Sequence, residues 1–135
     1  MLAMSGCMPL QQTKISGGKG YDHFGIYDDY GLLSVGPSNQ TKAIQLIDSE
    51  SYAVGPNAKK YGIKSEPHDF DISQKYPYVR DRIYVMEDGR PLRSLKDGTW
   101  KFVFYFMTTG GKDSRTFDAR LGTFYYNPVI HGAPN

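Results

Sequence analysis

Apolar and polar residues along this 135-residue chain alternate with a period of two more often than they recur at helical spacing, most clearly in the C-terminal half. Trp100, Phe102, Phe104 and Phe106 fall on one face of an extended segment, with Val103, Tyr105 and Met107 on the other. A central strand covered on both faces is predicted after Asp97-Gly98. Thr108 to Gly111 interrupts it, and Thr116 to Tyr126 returns with Phe117, Ala119 and Leu121 alternating against Asp118 and Arg120. Upstream, Arg82 to Met86 runs into Asp88-Gly89, a dipeptide that accepts positive φ at both turn positions. That predicts a tight hairpin, with Pro91 to Leu95 as a short return strand at a sheet edge.

The N-terminal half is less regular. Phe24 and Ile26, then Leu33 and Val35, flank the turn-rich Asp28-Asp29-Tyr30-Gly31, which predicts two short strands and a loop. Lys42 to Asp48 fits a strand through Ile44 and Leu46, or equally a short helix capped by Ser38, Asn39 or Thr41. Gly55 to Gln74 is rich in turn residues and is expected to be loop with at most one short strand. Met8 to Gly20 is small and polar, and reads as a tether. Gly17 to Gly20 has neither the spacing nor the preceding apolar strand of a phosphate-binding loop. The expectation is an all-β chain: a signal remnant and tether over residues 1–20, then one antiparallel β-sandwich domain over 21–135 with at most one short helix.

Composition sharpens this picture. Eleven tyrosines and seven phenylalanines suit pleated, half-buried surfaces. Sixteen basic against fourteen acidic side chains leave a net charge of +2, too small a field to draw in nucleic acid. Arg80, Arg82, Arg90, Arg93, Lys96 and Lys101 are interleaved with Asp81, Glu87, Asp88 and Asp97, the pattern of a solvated strand face. No apolar run is long enough to span a bilayer. Cys7 is the single cysteine, which excludes an internal disulfide framework and a multi-cysteine zinc site.

Two resemblances follow from particular residues. Leu2-Ala3-Met4-Ser5-Gly6-Cys7 resembles the lipobox of bacterial lipoproteins, in which small residues precede a cysteine whose thiol receives lipid before the peptide is cut in front of it. The resemblance implies lipidation of Cys7 and a place in the cell envelope, anchored at the outer membrane and facing the periplasm or the surface. Asp88-Gly89-Arg90-Pro91-Leu92 with Asp97-Gly98-Thr99-Trp100 resembles the late strands of immunoglobulin-like and fibronectin-like modules. That implies an immunoglobulin-like sandwich and no particular activity.

Candidate chemistry is sparse. His23, His68 and His131 lack a helical histidine partner, and no G-x-S-x-G elbow accompanies His68 with Asp69 or Asp71. Asp22, Asp28 and Asp29, and Asp69 with Asp71, offer oxygen ligands without the spacing of a calcium loop, and turn formation accounts for them. No catalytic residue, cofactor or metal is expected. Tyr76 and Tyr78, around Pro77, are the candidate partner-binding residues. The resulting expectation is a non-enzymatic envelope lipoprotein, a structural or accessory component of an assembly that binds other envelope proteins and no nucleic acid. The alternatives are an unlipidated structural protein of a phage particle or extracellular assembly, and a carbohydrate-binding module using Trp100 or the tyrosines.

Overall fold

A computed structural model describes residues 8–19, 22–27, 30–35, 43–67 and 79–126, and these residues form strands and turns with no helix. The strands are β1 (Met8–Gly17), β2 (His23–Ile26), β3 (Gly31–Val35), β4 (Ala43–Leu46), β5 (Tyr52–Val54), β6 (Lys60–Pro67), β7 (Val79–Glu87), β8 (Arg90–Pro91), β9 (Gly98–Thr108) and β10 (Gly111–Tyr126). Every ladder is antiparallel. Eight strands follow one path, β1-β10-β9-β5-β6-β7-β3-β2, while β4 pairs with β9 and β8 with β7. An even number of antiparallel strands leaves the two edge strands, β1 and β2, running in opposite directions, as closure into a barrel requires. The sheet curls until they lie side by side, so the expected all-β antiparallel architecture is realised as one sheet that is nearly a barrel.

The interior holds one face of the alternating strands. Trp100, Phe102, Phe104 and Phe106 of β9 are each at most 1% exposed. They pack with Phe24, Leu33, Val35, Ile63, Ile83, Val85, Phe117 and Leu121 from the strands around them. Phe24 sits among three rings, with centroids 4.8 Å from Phe102, 5.1 Å from Phe104 and 5.4 Å from Phe117. The indole of Trp100 donates to the Lys96 carbonyl at 2.8 Å, which satisfies its one polar atom in the core. A small space of about 20 Å³ beside Leu92 and Leu95 is lined mostly by apolar side chains.

The C-terminal meander follows its pattern. Asp88 and Gly89 have φ of 51° and 76°, the paired positive values of a tight hairpin turn. The return strand is shorter than expected, because Arg90–Pro91 alone pairs with β7 and only the Leu92 amide continues the contact, donating to Val85 at 2.8 Å. The outer face of β9 is also less covered than expected. Val103 is buried and Tyr105 half-buried, but Met107 is 41% exposed near the hairpin end.

Three N-terminal expectations change. Met8 to Gly17, read as tether, is a ten-residue strand in register with β10 from Met8↔Tyr126 to Gly17↔Phe117. Lys60 to Pro67 is a full strand that pairs with both β5 and β7, and only Gly55 to Lys59 before it is a turn. The ambiguous segment near Ile44 is strand β4, drawn alongside the end of β9 with a bulge between Ala43 and Gln45.

Candidate functional site

The main departure from a closed barrel lies along β1. β9 ends its pairing with β10 at Gly98↔Leu121, but β10 and β1 continue together through five further pairs, from Gln12↔Gly122 to Met8↔Tyr126. At the rise of an antiparallel strand, this two-stranded ribbon projects about 16 Å past the start of β9. Its tip is where Met8 follows Cys7 and where Tyr126 precedes Asn127. On its other side β1 has no strand partner among the described residues, since β2 pairs only with β3.

Between β1 and β2 lies an open slot of about 410 Å³ lined by Ile15, Gly17, Asp22 to Tyr27 and Phe117. Gly17 and Gly18 create it. Both have positive φ, and a Cβ on Gly17 would lie 2.2 Å from the Thr116 carbonyl oxygen, so only glycine lets the chain press onto β10 and turn away. Gly18 then donates to that same carbonyl at 3.1 Å.

One end of the slot is closed by a buried ion pair. Arg115, on the inward face of β10, donates from Nε to Asp22 Oδ2 at 2.5 Å and from an Nη to Asp113 at 2.8 Å, while lying over the Phe106 ring. The side chains of Asp22 and Arg115 are 2% and 10% exposed, and Asp22 also accepts the Lys19 amide at 2.8 Å. Burial disfavours the Arg115 charge, but the hydrogen bonds it donates to Asp113 and Asp22 more than offset it and raise its pKa. The hydrogen bond from Arg115 lowers the pKa of the exposed Asp113. Asp22 is thus engaged in holding the chain, which removes it from the set of loop oxygens weighed above as calcium ligands.

At the same end Asp48, in the turn after β4, accepts the Ser65 amide at 2.8 Å and the Ser65 hydroxyl at 2.5 Å. Asp81 faces inward on β7. Burial, and secondarily the charge of Asp48, push its carboxyl above the usual range. Ser51 completes the turn, accepting from the Tyr105 amide at 3.0 Å and donating to the Ile47 carbonyl at 2.8 Å. No group of three or more metal-ligating side chains occurs among the described residues.

The residues singled out from sequence are dispersed. Cys7, Tyr76, Tyr78, His68, His131, Asp28, Asp29, Asp69 and Asp71 lie outside the described residues. His23 is exposed on β2. Trp100 is 1% exposed, so it offers no platform for a sugar. The exposed aromatic surface missed by sequence reasoning is Tyr27, 52% exposed and stacked on Tyr30 at 5.4 Å, with the Arg82 guanidinium 5.0 Å from the Tyr30 ring. Comparison with protein-family models, with curated proteins and with solved structures finds no match to this chain.

Proposed function

We propose that this chain is a non-enzymatic lipoprotein of the bacterial envelope, a barrel-like domain tethered through lipid on Cys7 and serving as a structural or accessory component of a protein assembly. The observation that carries the reading is the ribbon. The lipobox-like Leu2 to Cys7 ends at the residue before Met8, the outermost residue of a two-stranded ribbon that runs about 16 Å past the start of β9. Acyl chains on the Cys7 thiol would anchor that tip, each buried methylene contributing about 0.8 kcal/mol. The interior is filled with aromatic rings, which favours work done on the outer surface.

Partner contact is assigned to the far end. β6 ends and β7 begins at the end of the barrel opposite the ribbon, and Tyr76 and Tyr78 belong to the connection between them. A partner reaching that connection would act in the periplasm or at the cell exterior, the two sides open to an outer-membrane anchor. The free edge of β1 favours a second reading, an unlipidated assembly protein of a virion whose arm pairs with a neighbour. Fractionation of bacteria expressing the gene with its own upstream region separates the two. The tethered protein sediments with membranes and Cys7→Ser moves to the soluble fraction; an identical distribution of both would overturn the lipoprotein reading.

A further inference from the structure

On the outward face of β1, β10 and β9, three exposed cations lie on neighbouring strands: Lys14, Arg120 and Lys101. Lys14 and Arg120 stand directly opposite each other across the β1–β10 ladder, and like charges so placed repel. Lys101 is in the next row opposite Asp118, the acid of this face. The ion pairs among the described residues engage Lys59, Lys112 and Arg115, and leave these three cations without a carboxylate partner. The whole chain carries only +2, so the excess is local.

We propose that this face docks on the anionic headgroups of a phospholipid bilayer, an inference that rests on the lipid tether at Cys7. β1 and β10 supply Lys14 and Arg120 and then continue as the ribbon toward Cys7. A lipidated tip therefore brings this face, rather than the β2 and β3 side, within reach of headgroups when the ribbon lies along the surface. A basic surface near that anchor adds electrostatic attraction to anionic headgroups. Single-stranded nucleic acid fits the face less well. It needs open rings for its bases, whereas the Tyr52 ring is occupied by the Lys60 ammonium at 4.3 Å and Val103 between the strands is buried.

The test uses the full chain carrying Cys7→Ser, so that binding is read without lipid. Co-sedimentation is measured with vesicles of phosphatidylglycerol mixed into phosphatidylcholine and with phosphatidylcholine alone. Binding to the anionic vesicles only, weakening as salt shortens the screening length, is expected. Combining Lys14→Gln, Lys101→Gln and Arg120→Gln should weaken it roughly a hundredfold, and Lys101→Gln alone about fivefold should the triple variant fail to fold. Lys19→Gln with Lys112→Gln, at the other end, should leave it unchanged. Equal binding to both vesicles, no binding to either, full binding by the variants, or preference for a single-stranded oligonucleotide would each overturn the proposal. An unmodified Cys7 in the native protein would instead overturn the tether and leave the vesicle result standing.

Discussion

Replacing Phe104 by Ala tests the packing that organises the whole barrel. The ring is fully buried, and three other rings surround it: Phe24 edge-on at 5.1 Å, and Phe102 and Phe117 each at 6.0 Å. Removing it forfeits a transfer contribution of about 1.5–3 kcal/mol. A cavity cost is added, and rings fixed on three different strands collapse poorly into the space, which places the total near the top of the range for Phe→Ala, about 4–5 kcal/mol. A domain of this kind is stable by about 5–15 kcal/mol, so the variant should be marginal but folded. In urea denaturation, at about 2 kcal/mol per molar, the midpoint should fall by about 2 M with little change in slope. Met107→Ala on the exposed outer face is the control and should change stability by less than about 0.5 kcal/mol. A Phe104→Ala loss below about 1 kcal/mol, or one matched by Met107→Ala, would refute the assignment of inner and outer faces.

Two polar sites give further expectations. Asp81 has its carboxyl pKa raised from 3.8 by burial and by Asp48, so the folded state holds the proton more tightly than the unfolded chain. That contribution is complete below about pH 3.8 and is lost as pH rises through the higher folded value. Asp81→Asn should therefore gain stability over the parent above that window, with the advantage shrinking in acid, as read from thermal unfolding against pH; a constant difference would show that ionisation is not the cause. At the slot, Asp22→Asn leaves the Arg115 guanidinium buried with only Asp113 as a carboxylate. A loss of about 3 kcal/mol is expected, partly restored by adding Arg115→Met, whereas additive losses in that double-mutant cycle would show the pair is not coupled.

The parts of the fold legible in sequence are those where alternation carries burial. In β9 every second residue from Trp100 to Phe106 is a large ring, in β10 Phe117, Ala119 and Leu121 alternate with polar residues, and Asp88-Gly89 marks its hairpin by local φ preference alone. β1 left no such signal, because Met8 to Gly17 has no sustained alternation of apolar and polar residues; its strand form is imposed by ten pairs with β10. β6 did carry a period of two in Tyr61 and Ile63, but Gly62 and Pro67 masked it as loop. The Asp22–Arg115 pair joins residues 93 apart and has no local trace. The cation field is similar: Lys14, Lys101 and Arg120 become neighbours only through strand register. The lipidation proposed at Cys7 rests on the sequence motif alone, and the ribbon that begins at Met8 came from the pairing of β1.

The claim that this domain is held at a membrane by its N-terminal cysteine is tested most directly by the intact mass of the protein recovered from bacteria with its own upstream sequence. The tether predicts a chain that begins at Cys7, with residues 1–6 removed, and carries the added mass of a thioether-linked diacylglycerol. A chain that retains Leu2 to Gly6, or begins at Cys7 with no added lipid mass, would contradict it.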